Sequence, residues 1–288
     1  MKVDFFIVGA PKAGTTSLFH YLNEHLEIEM SSQKEPDYFS HGALKRQVMY
    51  YRKSRIENLE KYHGLFTNKE VKLRGEASVS YLFYNDVPQK IKDYNPKAKI
   101  IIMLRNPIDR AFSHYLMDYR LGLVSDSFES IIKKKSKHKN ANLFYQQYID
   151  VSEYARQVSR YLDVFDKENI LLIDYDELKN DVSAIVNDTY IFLGVNDDFQ
   201  PNLKKKHNTF MMPKNSIIRF IYSSVSFRKF IANIVPKSIV KGLRNLFFKV
   251  SKKPALSNDT RKFLASYFKD DLDYLSILLN KNFSKWIK

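Results

Sequence analysis

The sequence predicts an α/β protein in which a central parallel sheet is flanked by helices. Three apolar runs bounded by turn residues have the length and composition of buried strands, namely Phe5–Val8, Lys99–Leu104 and Asn169–Ile173. Strands that are apolar on both faces are typical of parallel sheets covered by helices. A helix-like pattern follows each run, which is the alternation expected of consecutive strand–helix units.

Three stretches beside these runs have apolar residues at helical spacing or begin with helix-start signals. They are Thr15–His25, Arg110–Arg120, which opens from Asn106 and Pro107, and Ser152–Phe165. Parallel strands place their carboxyl ends at one edge of a sheet. We therefore expect the strand-to-helix turns to gather at that edge, where ligands of such folds bind.

Composition excludes several classes of protein. The 288 residues suffice for a single domain over 1–288, and 44% hydrophobic residues argue against disorder. There is no cysteine, so neither a disulfide framework nor a thiolate zinc site is available. No stretch of about 18 uninterrupted apolar residues occurs that could cross a bilayer. We expect a cytoplasmic protein that is at most peripheral to the inner face of a membrane.

The net charge of +15 calls for an acidic partner, and most of the excess lies late in the chain. Residues 201–262 contain fifteen lysines and arginines against one acid, Asp259. At about 214–253 the cations alternate with aromatic and aliphatic residues, which is typical of basic amphipathic helices on an anionic membrane. Helices packed on the domain with solvated lysines are the alternative. A nucleic-acid-binding protein is disfavoured, because no helix-turn-helix, RNA-recognition or zinc motif accompanies the charge.

The first predicted strand runs into a turn, Gly9–Thr16, that has the form of a phosphate cradle. Such a turn between strand and helix directs backbone N–H groups and the positive end of the helix at one point. Gly9 and Gly14 have the spacing of P-loop glycines, which leaves a P-loop nucleotide kinase open. The lysine, however, lies inside the turn as Lys12, and Arg105 rather than a magnesium-binding acid follows the second predicted strand. Metal-dependent nucleotide hydrolysis is therefore disfavoured.

Two motifs, G-x-P-K-x-G-T-T-S from Gly9 and L-R-N-P-x-D-R-A-x-S-x-Y from Leu104, together resemble the PAPS-dependent sulfotransferase family. Its enzymes take a sulfuryl group from 3′-phosphoadenosine 5′-phosphosulfate (PAPS) and release PAP. The resemblance implies a P-loop-NTPase-like sulfotransferase fold and a reaction without a metal. It also implies that Lys12 contacts the bridging oxygen of the phosphosulfate, while Arg105 and Ser113 hold the 3′-phosphate. The donor-binding residues implied in these motifs are Pro11, Lys12, Ala13, Gly14, Thr15, Thr16, Ser17, Arg105 and Ser113.

The segment Gln33–Phe39 resembles the K-E-x-x-x-F segment of the glycosaminoglycan-type branch of this family. The resemblance makes Glu35 the candidate catalytic base beside Lys12. A carboxylate suits this role, because sulfuryl transfer to a sugar hydroxyl or amine requires removal of a proton as the nucleophile approaches. The alternative is that Glu35 only pairs with Lys34 or another surface cation.

The segment Gly75–Leu82 resembles the family's E-[KA]-[ST]-x-x-Y segment, which lies near donor and acceptor. The resemblance implies that Glu76 and Ser78 contact the acceptor, with Glu76 as an alternative base. Ala77 stands where the animal glycosaminoglycan enzymes usually carry lysine. A second catalytic lysine is therefore missing at this position.

Late in the chain, Lys204–Thr209 resembles the family's basic loop over the adenosine part of the donor. The resemblance implies donor contacts by Lys205, His207 and Asn208, with a solvated loop as the alternative. Leu272–Trp286 resembles the closing helix of the family and is expected to be structural.

The sequence as a whole predicts a PAPS-dependent sulfotransferase. The expected acceptor is a hydroxyl, or failing that an amine, of a carbohydrate or glycolipid. For Arg105 an ion pair with Asp109 is the purely structural alternative. Abundant Lys, Asn, Ile and Tyr fit a bacterial enzyme that acts on surface polysaccharide or glycolipid precursors.

Overall fold

The computed structural model describes residues 1–50, 56–68, 70–203 and 254–287, together with the backbone of 211–213 and 248–250. Within these residues the strands are β1 Phe5–Gly9, β2 Ile28–Met30, β3 Leu73–Ala77, β4 Lys99–Leu104, β5 Ile170–Asp174, β6 Met211–Pro213 and β7 Phe248–Val250. The first five form a sheet in the order β2-β3-β1-β4-β5, with every neighbouring pair parallel. The last two form an antiparallel ribbon.

Helices flank this sheet. Within the same residues they are α1 Thr15–Leu22, α2 His41–Arg46, α3 Leu59–His63, α4 Val87–Tyr94, α5 Pro107–Arg120, α6 Phe128–Ile132, α7 Ala141–Tyr148, α8 Ala155–Leu162, α9 Tyr175–Asn180, α10 Val182–Leu193 and α11 Asn258–Leu279. Short 3₁₀ turns lie at Asp150–Ser152, Lys167–Asn169 and Ser284–Trp286. The predicted α/β class, with a central parallel sheet flanked by helices, is confirmed.

The core forms around the two central strands, because their side chains are apolar on both faces. Every residue of β1 is buried, and so is all of β4 after its first residue. Gly75 of β3 lies under the ring of Phe5, where an added Cβ would stand 2.1 Å from the ring. The close approach of β3 to β1 thus requires glycine at this position.

The predicted helices are correctly placed, and the start at Thr15 and the end at Arg120 are confirmed. The other ends are wrong, since the observed bounds are Thr15–Leu22, Pro107–Arg120 and Ala155–Leu162 in place of Thr15–His25, Arg110–Arg120 and Ser152–Phe165. Capping explains two of the starts. The side chain of Asn106 accepts hydrogen bonds from the first free N–H groups of α5. The carboxylate of Asp271, on α11, accepts those of Tyr154 and Ala155 at the start of α8.

The expected closing helix Leu272–Trp286 is helical only as far as Leu279, where it forms the last part of the longer helix α11. α11 ends at Leu279, where Asn280 takes the left-handed conformation (φ 49°) that commonly terminates helices. The 3₁₀ turn that follows is a separate element. No described helix combines the length and the apolar composition needed to cross a bilayer.

Only a small part of the predicted basic amphipathic helical segment at 214–253 is described. Phe248–Val250 form a strand paired with Met211–Pro213, so helical structure does not extend to these three residues. The rest of the segment lies outside the described residues, as do the predicted donor contacts Lys205, His207 and Asn208.

The strand order places a crevice at the carboxyl edge of the sheet. The chain moves from β1 to the edge strand β2, returns through β3, and then passes to the other side of β1 as β4. Open α/β sheets bind ligands where the order changes direction in this way. The segments that follow β1, β3, β4 and β5 therefore converge on one site.

Candidate active site

The turn after β1 is tied to β4 on both sides of its tip. The N–H of Ala10 donates to the carbonyl of Met103 at 2.6 Å, and Nη1 of Arg105 donates to the carbonyl of Lys12 at 3.1 Å. Lys12 and Gly14 have left-handed backbone conformations, with φ of 71° and 92°. The backbone of the predicted cradle is therefore held in a fixed shape by the neighbouring strand.

α1 begins directly behind this turn, with Gly14 as its N-cap and no acidic residue in its first turn. The first N–H groups of a helix lack partners within the helix and carry partial positive charge. Pro11 is half-buried and Ala13 is buried. Hydroxyl groups at the same end come from Thr15, Thr16 and Ser17. This end of α1 can hold an anion such as a phosphate or sulfate group.

Arg105 follows the last residue of β4 and lies beside the cradle. Its guanidinium donates to Lys12 and stacks on the ring of Tyr175, with Cζ 4.6 Å from the ring centroid. The alternative ion pair with Asp109 is not formed, since Asp109 pairs instead with Arg261 at 2.9 Å. The guanidinium is oriented along the cradle and remains partly exposed.

Tyr175 is a residue of this site that sequence reasoning missed. It begins α9 directly after β5, and its ring packs on the cradle as well as on Arg105. A Cβ placed on Gly14 would approach this ring to 3.1 Å. Its position in the sequence could have indicated it, because Tyr175 lies two residues beyond the predicted strand Asn169–Ile173, at the same edge of the sheet as Arg105.

The side chain of Lys12 leaves the turn and reaches α5. Its Nζ lies 3.4 Å from Sδ of Met117. Ser113 is one turn earlier on the same face of this helix and is half-exposed. Lys12 and Ser113, which the resemblance assigns to different groups of the donor, are therefore brought to one helix face.

Glu35 lies in a turn beside the carboxyl end of β3. Its N–H donates to the carbonyl of Ala77 at 2.9 Å, and its φ is 58°. Its carboxylate pairs with Nζ of Lys34 at 2.9 Å, and 22% of the Glu35 side chain is exposed. The pairing that the sequence left as an alternative is thus present, while the carboxylate still faces solvent.

Hydrogen bonds clamp the turn of Glu35 to the segment after β3. The N–H of Asp37 donates to Oγ of Ser78 at 3.0 Å, and Oδ1 of Asp37 accepts from the hydroxyl of Ser80 at 2.7 Å. Ser78 is fully buried. Its observed contact is structural, and the predicted contact with an acceptor would require the turn to move.

Glu76 is completely buried near the end of β3. The hydroxyls of Tyr81 and Tyr62 lie near its carboxyl group, although neither oxygen has a well-formed hydrogen bond among the described residues. Burial raises the pKa of Glu76 to about 8; the two hydroxyls act against this rise and the carboxylate of Asp37 adds to it. Glu76 is therefore mostly neutral at pH 7, and its contact with an acceptor stays a prediction.

A carboxylate does end one strand at this edge of the sheet, namely Asp174 of β5. It is fully buried, and its Oδ1 accepts the N–H of Asp176 at 2.9 Å. Nζ of Lys285 lies 3.0 Å from its Oδ2. Helix capping and ion pairing thus occupy this carboxylate. In the part of the chain that the structure describes, no group of three or more His, Cys, Asp or Glu side chains has an arrangement suited to a metal ion.

The carboxyl edge of the sheet therefore carries an anion cradle with a lysine inside it, an arginine that follows the next strand and a partly exposed carboxylate in the turn beside β3. These features define the α/β proteins that bind anionic ligands at the turn after their first strand. Residues 2–272 match the family described as "Sulfotransferase domain". The chain belongs to this family, which sets it apart from the kinase and nucleic-acid-binding alternatives.

Three known proteins illustrate the relationship. A sulfotransferase from Alicyclobacillus acidocaldarius superposes with a TM-score of 0.73 at 30% identity, with both chains covered completely. The human bifunctional heparan sulfate N-deacetylase/N-sulfotransferase 3 is 25% identical over 96% of this chain and 30% of its own length. Human carbohydrate sulfotransferase 15 is 24% identical over 66% of this chain and 43% of its own length. The chain thus spans less than half the length of these two human relatives.

Replacing Glu76 by Gln should flatten the dependence of stability on pH. An unfolded glutamate titrates near 4.5, whereas Glu76 in the folded chain titrates at about 8. The stability contributed by the protonated form is complete below pH 4.5 and is lost at about 1.4 kcal/mol per pH unit as pH rises towards 8. E76Q should therefore melt above the wild type at pH 8, with a difference that shrinks towards pH 5.

Thermal unfolding followed by circular dichroism from pH 5 to pH 9 measures this difference. The exposed Glu57 provides a matched control, and E57Q should follow the wild type. Parallel loss of stability by E76Q and the wild type between pH 5 and pH 8 would show that Glu76 is ionised in the folded protein.

Proposed function

We propose that the sulfuryl donor is PAPS and that Lys12 assists departure of its leaving group. The observation that carries this proposal is the position of Lys12 between two anion-binding elements. Its carbonyl is held by Arg105, and its ammonium lies on α5 one turn from Ser113. A donor with a phosphosulfate at one end of its ribose and a phosphate at the other needs two such elements side by side.

The described residues fit this donor by charge and by shape. The cradle offers backbone N–H groups and the positive end of α1, without an acidic residue in the first turn. Arg105 offers a planar guanidinium that is already oriented by Tyr175, and such groups bind phosphate through two parallel hydrogen bonds. We assign the 5′-phosphosulfate to the cradle and the 3′-phosphate to Arg105 and Ser113.

Sulfuryl transfer resembles phosphoryl transfer, in which charge accumulates on the bridging oxygen as the leaving group departs. The role proposed for Lys12 is to donate a hydrogen bond to that oxygen. The thioether of Met117, which Lys12 contacts, is a weak acceptor. A charged oxygen of the donor would be a stronger partner than this sulfur.

Glu35 is the proposed base that removes the proton of the acceptor. It lies beside the carboxyl end of β3, while Lys12 follows the carboxyl end of β1, and these two strands are neighbours. The partial exposure of Glu35 gives an acceptor access to the carboxylate. Accepting the proton requires Glu35 to exchange its contact with Lys34 for one with the acceptor.

The proposed acceptor is a hydroxyl group of a carbohydrate, with an amine as the second choice. The names of the human relatives support this class, since they refer to heparan sulfate and to carbohydrate sulfation. A glycolipid at an anionic membrane surface is included, because residues 214–253 have the composition of a basic amphipathic segment. We place the enzyme in the bacterial cytoplasm, where precursors of surface polysaccharides would be its substrates.

Ligand-induced stabilisation and sulfate transfer together test this function. PAP at 100 times its dissociation constant should stabilise the protein by about 2.7 kcal/mol, whereas ATP with magnesium should have little effect. Labelled sulfate from PAPS should then appear on members of a panel of glycans and of lipid-linked sugars in anionic vesicles. Stabilisation by ATP with magnesium but not by PAP would overturn the proposed donor.

Replacing Lys12 by Ala should reduce turnover strongly without unfolding the protein. Removing one preorganised donor at a developing charge costs about 3–4 kcal/mol of barrier, which corresponds to a loss of about 100- to 1,000-fold in kcat. Steady-state kinetics with saturating PAPS measures the loss, and K269A at an exposed lysine provides the matched control. Normal turnover in K12A would show that Lys12 does not take part in the transfer.

Replacing Glu35 by Gln should lower kcat by about 10²- to 10⁴-fold, because general base catalysis typically contributes that much. The affinity for PAP should be unchanged, since the carboxylate acts on the acceptor and not on the donor. Calorimetric titration with PAP alongside the kinetic assay separates the two effects. E60Q, at an exposed glutamate, is the control. Equal activity of E35Q and E60Q would show that Glu35 is not the base and only pairs with Lys34.

A further inference from the structure

The 3₁₀ turn that follows α11 packs against the strand end that carries Arg105. Phe283, just before the turn, and Trp286, its last residue, are buried with ring centroids 4.8 Å apart. The carbonyl of Trp286 accepts a hydrogen bond from Nδ2 of Asn106, the residue directly after Arg105. The ring of Trp286 packs edge-on against Tyr154, whose hydroxyl donates to the carbonyl of Arg105 at 2.8 Å. The turn therefore contributes to holding the backbone at Arg105.

The same turn supplies a cation to the neighbouring strand end. Nζ of Lys285 lies 3.0 Å from Oδ2 of Asp174, the last residue of β5. The Asp174 side chain is fully buried, whereas 48% of the Lys285 side chain is exposed. In the part of the chain that the structure describes, no hydrogen-bond donor other than this ammonium reaches Oδ2. Removing the partner of a buried charge is costly, so Lys285 compensates a charge that would otherwise stand alone.

Asp174 lies beside the group that orients Arg105. In the register of β4 and β5, Leu104 stands opposite Asp174. The next residues, Arg105 and Tyr175, therefore leave the sheet side by side, and the guanidinium stacks on the ring with 4.6 Å between Cζ and the centroid. Oδ1 of Asp174 accepts the N–H of Asp176 at 2.9 Å and so caps α9. The carboxylate thus fixes the start of the helix that presents Tyr175.

We propose that Lys285 is a positioning residue for the 3′-phosphate of the donor and acts through Asp174 and Tyr175. This inference rests on the proposed function, which assigns that phosphate to Arg105 and Ser113. Lys285 neutralises the buried carboxylate behind the tyrosine ring on which the guanidinium is stacked. Without Lys285, the carboxylate would repel a phosphate at this strand end and compete with it for the guanidinium.

A second lysine near the turn provides a matched comparison. Lys281 pairs with both carboxylate oxygens of Glu177, on α9, at 2.7 and 2.9 Å. The Glu177 side chain is 43% exposed, so solvent screens this pair and removal of the lysine leaves no buried charge. Of the two lysines, Lys285 alone contacts a buried carboxylate. K281A therefore measures the loss of an ion pair without the effect proposed for Lys285.

Calorimetric titration of the full chain with PAP and with adenosine 5′-monophosphate (AMP), which lacks the 3′-phosphate, tests this role. The wild type should bind PAP more tightly than AMP, and R105A should lose this preference. K285A should bind PAP about tenfold more weakly, a factor within the range of coupling between neighbouring groups, and should bind AMP as the wild type does. K285R, which keeps the charge, and K281A should both retain the affinities of the wild type.

Replacing Asp174 identifies the cause of the loss. D174N keeps an oxygen that can cap α9 but removes the charge that Lys285 neutralises. The double variant K285A/D174N should therefore regain the preference of the wild type for PAP over AMP. Should K285A not fold, K285Q removes the charge but keeps a hydrogen-bond donor for Asp174. The same loss in K285Q and the same recovery in K285Q/D174N should then appear with smaller amplitude.

The outcomes separate this inference from the proposed function. If the wild type prefers PAP and R105A does not, but K285A keeps the full preference, the inference is wrong and the proposed function stands. Equal losses of affinity for PAP and AMP in K285A would show a general structural role and also overturn it, as would failure of D174N to restore the preference. If the wild type itself binds PAP no more tightly than AMP, the proposed assignment of the 3′-phosphate fails first and the inference fails with it.

Discussion

The hydrogen bond from Arg105 to the carbonyl of Lys12 is the contact on which the rest of the site depends. It joins the end of one central strand to the turn that follows its neighbour, so both anion-binding elements share a single geometry. β4 is almost entirely buried and cannot shift without disturbing the core. Tyr175, which directly follows β5, connects the end of a third strand to the site, because its ring packs on Arg105 and on Gly14. The cradle is thus rigid because the sheet is rigid, while the side chain of Lys12 extends from the cradle to α5.

The features that could be predicted from sequence are those that depend on neighbouring residues along the chain. The central strands, the cradle and Arg105 were found because apolar runs, glycine spacing and a residue at a strand end are local signals. β3 was missed as a strand, because Arg74, Gly75 and Glu76 interrupt its apolar pattern. The start of α8 was misplaced, since its cap is the carboxylate of Asp271, more than a hundred residues away. Long-range contacts of this kind leave no local trace.

Buried carboxylates surround this site, and each is tolerated for a different physical reason. Glu76 avoids the cost of a buried charge by remaining mostly protonated, with tyrosine hydroxyls beside it. Asp118, which is buried on α5, accepts hydrogen bonds from the hydroxyls of Tyr50 and Tyr148, and the positive charges of Lys12 and Arg110 act on it. Asp174 caps a helix and pairs with Lys285. Apart from Glu76, the sequence did not single out these acids, because the groups that stabilise them, such as Tyr148 and Lys285, come from distant segments.

The contact of Lys12 is with a methionine, a residue type that oxidants convert to the sulfoxide. Met117 is partly exposed, and the chain contains no cysteine that could react in its place. Oxidation to the sulfoxide replaces a weak sulfur acceptor with a strongly polar oxygen at the position that the ammonium already occupies. The ammonium of Lys12 would then have a stronger acceptor on α5 than the sulfur that it contacts now. Enzymatic reduction of the sulfoxide would restore the original contact.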